Sequence, residues 1–202
     1  RYVELPAHKV IVSAASDVFK KMLTVDMRES QTNVITIPNF SASIVKEMLR
    51  FLYTGGCDEH VLHEDAETLL SVAKQYDIPS MVSYLEDYYA NSVTVQNIVQ
   101  VWQLSQTYEC PALETALLKF VREHQQDVLK KRAFRASLSL ASAQKIINVL
   151  CDIAVESEED YEGDSALDTE IKAGVRVLEA ATTHRERVTV NDDEGNEDEG
   201  VG

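Results

Sequence analysis

Pro6-Ala7-His8-Lys9-Val10-Ile11-Val12-Ser13-Ala14-Ala15-Ser16-Asp17-Val18-Phe19-Lys20-Lys21-Met22-Leu23 is the stretch whose reading decides the fold. Pro6 closes an extended segment, because proline donates no ladder hydrogen bond, and Arg1–Ala7 alternates weakly like the tail of a strand. From His8 to Leu23 apolar residues recur at helical spacing, and Ser16 stands where a hydroxyl caps a second short helix. The apolar side chains of Val10–Ala15 exceed what one helix face buries inside a small domain. Val10, Ile11, Ala14 and Ala15 are therefore expected at a two-fold interface with a second copy of the chain.

Downstream, Asn33-Val34-Ile35-Thr36-Ile37-Pro38 is rich in β-branched residues and closed by proline, which predicts a strand. After Phe40 the period lengthens to that of a helix. Ile44, Val45, Met48, Leu49 and Leu52 share one face, Ser41 or Ser43 can cap it, and Gly55-Gly56 stops it. A second helix carries Ala66, Leu69, Leu70, Ala73 and Tyr76. A third opens at Pro79, a favoured first helical position, and carries Val82, Leu85 and Tyr89. The pattern then repeats: Tyr76-Asp77-Ile78-Pro79 returns 32 residues later as Tyr108-Glu109-Cys110-Pro111. Flanking apolar residues match as well, Leu69 with Val101 and Leu85 with Leu117. Each copy reads as helix, turn, proline, helix, so stacked helical hairpins are expected.

The formal charge of −15 is unevenly placed. Asp152–Gly202 holds seventeen acidic and four basic residues, a net −13, which leaves −2 for Arg1–Cys151. A uniformly basic nucleic-acid surface is absent, and Lys130, Lys131, Arg132 and Arg135 read as a solvated helix face. Lys130–Val155 holds more helical material, Glu156–Asp168 reads as acidic loop, and residues 169–182 carry one possible amphipathic helix. Thr189–Gly202 has too few apolar residues for a core and is expected to be disordered, as part of an acidic tail over 162–202. Three widely spaced cysteines, Cys57, Cys110 and Cys151, do not make a disulfide framework. They fit the reducing cytoplasm or nucleus. No apolar run approaches a bilayer's span, and beginning at Arg1 without methionine the chain reads as a fragment.

There is no P-loop, dinucleotide fingerprint, nucleophile elbow or zinc-protease helix. Cys57, His60 and His63, with Asp58 and Glu64 beside them, sit in one post-glycine stretch with no distant second pair to complete a tetrahedral site. An ordinary polar loop is the expectation there. His8 lacks a nucleophile beside it and is expected to hydrogen-bond backbone at its corner. Trp102 and the tyrosines fall on apolar helix faces, and most of them read as core anchors and not as stacking platforms for bases. The chain is expected to be no enzyme, with no catalytic residue, cofactor or metal.

Several segments resemble the BTB (POZ) family. Pro6–Leu23 looks like its "PAHKxxLAAxSxxFxxMF" segment. Met27-Arg28-Glu29-Ser30 followed by Val34-Ile35-Thr36-Ile37 is similar to its next loop and strand. Phe51-Leu52-Tyr53-Thr54-Gly55 matches its "F-x-YTG" helix end, and Leu69–Pro79 its following helix and turn. The resemblance runs over about residues 2–90. Ser92–Tyr161 is similar to the BACK extension of kelch-like proteins, with Asp152–Glu159 like one of its later turns.

The resemblance implies an α/β fold, mostly α: a BTB domain over 1–91 with a small sheet flanked by helices and its first strand before Arg1. BACK-like hairpins would follow over 92–161. It also implies a homodimer that binds a cullin-3-type scaffold and presents a protein substrate, through a module outside this fragment, for ubiquitination. The family's hydrophobic-x-Glu scaffold motif falls on Met27-Arg28-Glu29, with Met27 as apolar knob and Glu29 as polar anchor. The alternative function is a transcriptional regulator that recruits corepressors through its dimer groove. Neither reading calls for nucleic-acid or membrane contact by this chain.

Overall fold

The computed structural model describes residues 3–25 and 28–158. Among them every regular element is a helix. The small sheet expected from Arg1–Ala7 and Asn33–Pro38 is not shown, and residues 33–38 carry no ladder. A strand is held by hydrogen bonds to a neighbour, and no second strand lies among the described residues.

The chain falls into two units, Arg1–Val93 with Gln100–Ala116, and Thr94–Val99 with Leu117–Gly202. In the first, the His8–Leu23 stretch breaks into two helices, α1 (Lys9–Ala15) and α2 (Asp17–Thr24). The break comes at Ser16, whose backbone is extended and whose Oγ accepts the Phe19 amide (3.0 Å). That hydroxyl also donates to the Tyr76 carbonyl, which ties the break to a turn far along the chain. A short helix α3 (Arg28–Thr32) packs on α2, and α4 (Ala42–Thr54) on α1. Ser41 caps α4 through the Ile44 amide, and Gly55 ends it at φ +75°, a conformation side chains disfavour. Then come α5 (Glu59–Gln75), capped by Asp58 and kinked at Asp65, and α6 (Pro79–Ser92), with proline at its start. Phe19, Met48, Leu69, Leu70, Val72, Ile78, Met81, Leu85 and Trp102 are fully buried.

The repeated tetrapeptide makes the same turn twice, at the ends of α5 and α7 (Ile98–Thr107), before α6 and α8 (Pro111–Glu123). Ile78 N–H donates to the Ala73 carbonyl and Cys110 N–H to the Ser105 carbonyl, both at 2.9 Å. That is the six-to-one bond of a Schellman cap. Asp77 (φ 48°) and Glu109 (φ 49°) hold the left-handed position where glycine is usual. A non-glycine residue there costs about 1–2 kcal/mol, while glycine's extra freedom in the unfolded chain costs about 0.4–1 kcal/mol. Strain wins by a small margin. Glu109→Gly is therefore expected to stabilise the chain by about 0.5 kcal/mol, read as a higher urea midpoint, and a lower midpoint contradicts the strain argument.

The second unit has α9 (Gln125–Lys130), α10 (Arg132–Ser137) and α11 (Leu140–Glu158). Ser139 caps α11 through the Ser142 amide (3.1 Å). Val128, Phe134, Ala143, Ile146 and Leu150 are buried within it. Helix α11 outruns the sequence reading, which ended at Val155, by including Glu156–Glu158. Acidic residues oppose the negative end of a helix dipole, so composition alone places the stop too early. The acidic segment beyond 158, the possible helix at 169–182 and the tail lie outside the described residues.

Candidate functional site

Helix α1 is amphipathic across a narrow section of unit 1. Val12 points into the core, whereas Val10 is 79% exposed and Ala14, one turn on, is exposed beside it. Ile11 and Ala15 are half-buried. The four residues read as self-associating thus divide into two that present themselves to solvent and two that only flank them. The start of α1 is pinned by a residue that the sequence reading missed. Tyr53 Oη accepts the His8 backbone N–H (2.7 Å) and faces His8 Nδ1 (2.8 Å). With a lone pair already taken by the amide, the hydroxyl proton is free to donate to Nδ1. His8 therefore uses a side-chain partner 45 residues away, not neighbouring backbone. The signal was available in Phe51–Gly55, where an aromatic hydroxyl stands in the last turn of a helix, two residues before its glycine stop.

Glu29 lies on α3, half-buried, and not on the open loop expected for it; Met27 lies outside the described residues. Thr32 Oγ1 donates back to the Arg28 carbonyl (2.9 Å) across this single turn, which is too short for periodicity to reveal.

Glu47 was also missed. It is only 7% exposed, and its Oε1 accepts the Asp58 amide (2.5 Å) and Arg50 Nη1 (3.2 Å), while Arg50 also pairs with Asp58 (3.3 Å). A carboxylate inserted in the apolar stripe Ile44, Met48, Phe51 was the visible sign. This cluster carries the chain from α4 into α5, and the amide of His60 holds the Asp58 carboxyl below its usual range. His60 and His63 consequently ride the first turns of α5 instead of a polar loop, with His60 Nδ1 facing Glu64 (3.3 Å). Among the described residues no group of three or more His, Cys, Asp or Glu is placed to hold a metal.

A second buried carboxylate, Glu86, is 8% exposed, and its Oε1 has no hydrogen-bond partner. Glu86 and Lys74 both act on the Cys110 thiol, and Lys74 Nζ donates to the Glu109 carbonyl (3.0 Å). Together with Ala73, Asp77, Pro79, Val82 and Ser83, Lys74 and Glu86 line a cleft of about 220 Å³. Val82, read as a core residue of α6, is at its wall and half-exposed.

Burial pushes the Cys110 and Cys57 thiols up to about 11 from 9.0, with Glu86 adding at Cys110 and Glu47 at Cys57. Burial likewise raises the Tyr89 phenol. A raised thiol pKa means that the fold favours the protonated form. The associated stability is complete below pH 9.0 and is lost as pH rises through about 11. Urea melts are expected to weaken over that window, and less steeply in the Cys57→Ala/Cys110→Ala variant; equal slopes contradict the assignment. Neither thiol is poised for nucleophilic chemistry near neutrality.

Among the described residues the geometry is that of a helical scaffold with an outward apolar face on α1 and a small charged cleft. Residues 1–93 match the BTB/POZ domain family. Among the most similar curated proteins is the ARM repeat protein interacting with ABF2 of Arabidopsis thaliana, 31% identical over 58% of this chain and 16% of its own length. TD and POZ domain-containing protein 4 of Mus musculus is 29% identical over 71% of this chain and 42% of its own length. Kelch-like protein 7 of Rattus norvegicus is 28% identical over 65% of this chain and 22% of its own length. The chain thus spans well under two thirds of each of these relatives. Over residues 1–93 the chain carries a BTB/POZ domain, a protein-interaction module.

Proposed function

We propose that this chain is the self-associating, scaffold-binding part of a substrate adaptor for a cullin-3-type ubiquitin ligase, and that it catalyses no reaction itself. One observation carries the reading: likeness to Kelch-like protein 7 extends over 131 residues, past the 93 of the BTB/POZ match and into the helical pairs that follow. In this reading Val10 and Ala14, with Ile11 and Ala15 behind them, form the homodimer face. Met27 and Glu29 contact the scaffold, Glu29 from the turn of α3. A module in the longer protein binds the substrate, in cytoplasm or nucleus.

The test is calorimetric titration of the chain with a cullin-3 N-terminal domain, alongside light scattering. Wild type is expected to bind, and Met27→Ala/Glu29→Ala to bind at least tenfold more weakly, a loss of about 1.4 kcal/mol or more. Melting curves keep this separate from folding. Undiminished affinity in the folded double variant removes the motif. Failure of wild type to bind at all overturns the adaptor reading and favours corepressor recruitment through the dimer groove.

A further inference from the structure

We propose that the cleft between the end of α5 and the first turns of α6 receives one basic side chain, arginine or lysine, from a partner protein. The proposal is independent of which scaffold or substrate the chain serves. Its size is the first argument. At about 220 Å³ the cleft is smaller than the roughly 300–1,000 Å³ of small-molecule sites, and suits a single side chain.

Its lining is the second. Pro79 and Val82 offer apolar surface of the kind that the methylene stem of a basic residue covers. Two carboxylates, Asp77 and Glu86, stand against one ammonium, Lys74, which is engaged with the Glu109 carbonyl. The balance is therefore negative.

The third argument is Glu86 itself. A carboxylate oxygen buried without a donor is costly to leave so, and buried polar atoms in folded proteins are nearly always satisfied. The terminal carboxyl torsion of glutamate is soft, so Oε1 can turn toward a donor in the cleft with little strain. A guanidinium is the best match, because its planar fork can serve Glu86 while its stem lies along the walls. An anionic side chain would meet two like charges, and a neutral donor could reach Oε1 but would leave the negative balance of the cleft uncompensated.

The probe is N-acetyl-arginine methylamide, titrated into the ¹⁵N-labelled 202-residue chain, with N-acetyl-norleucine methylamide as the uncharged control. Saturable amide shifts are expected over residues 73–86, with a dissociation constant on the order of 1 mM for a ligand of this size. The norleucine probe is expected to produce no saturable shift. Glu86→Gln, which keeps the shape and removes the charge, is expected to weaken binding at least tenfold. Should that variant melt early, Asp77→Asn on the exposed rim carries the test, with weakening of several-fold expected. Shifts that do not saturate, that spread evenly over the acidic surface, or that persist undiminished in the folded variants overturn the proposal.

Discussion

Phe19→Ala is expected to lower the unfolding free energy by about 4 kcal/mol, within the usual 3–5 for a buried phenylalanine. The ring is 1% exposed on α2 and stacks on Tyr76 at 4.7 Å with 15° between planes. Truncation removes its transfer free energy and that stacking, and it leaves a cavity that helices anchored at Ser16 and Tyr76 cannot easily close. Against the 5–15 kcal/mol typical of whole domains, the loss is of the order of half the stability. With a urea slope near 2 kcal/mol per molar, the midpoint should fall by about 2 M. Val10→Ala on the neighbouring helix is the internal comparison. At 79% exposure it should stay within about 0.5 kcal/mol in the unassociated chain. Similar effects from the two substitutions contradict the packing described.

Ser16→Ala is expected to cost about 2–3 kcal/mol. One part is the cap on α2, worth about 1 kcal/mol. The larger part is the bond that Ser16 donates to the Tyr76 carbonyl, since a buried acceptor deprived of its donor carries a penalty of about 1–3 kcal/mol. Ser41 separates the two contributions. It also caps a helix, but it is exposed and its acceptor distance is 3.4 Å, so Ser41→Ala should cost well under about 1 kcal/mol. Equal losses at the two serines mean that the long-range bond contributes nothing. Because Ser16 and Phe19 both end on Tyr76, the double variant should fall short of additivity by about 1 kcal/mol.

Much of the helical frame could be read from residue spacing. Ser16, Ser41, Gly55 and Pro79 mark helix ends by local chemistry alone: a hydroxyl for an orphan amide, a residue tolerant of positive φ, a fixed φ at the first turn. The 32-residue echo foretold two identical turns. What escaped reading depends on partners distant in sequence. Periodicity cannot say that Glu47 bends back to the Asp58 amide, that Tyr53 receives His8, or that Glu86 ends beside Cys110. Those facts depend on how helices meet. The expected strand at Asn33–Pro38 shows the reverse difficulty: β-branched residues signal a capacity to pair, and pairing needs a second segment. For the interaction site, the outward turn of Val10 and Ala14 follows from helical spacing once Val12 is known to be core. The single turn that carries Glu29 is too short to have a period.

Tyr76 has a role beyond packing. Its carbonyl takes the Ser16 hydroxyl, its ring takes Phe19 and the edge of Phe40, and its own amide closes the last turn of α5 on Val72. Loosening any one of these loosens a residue on which the others rest. The amides of Phe19 and Ile78, 59 positions apart, should therefore exchange with solvent deuterium through one shared opening event, with matched protection and matched denaturant dependence. The α1–α2 hairpin, which bears the outward Val10, would open and close together with the first proline turn. A ligand that steadies either end would then slow hydrogen exchange at the other.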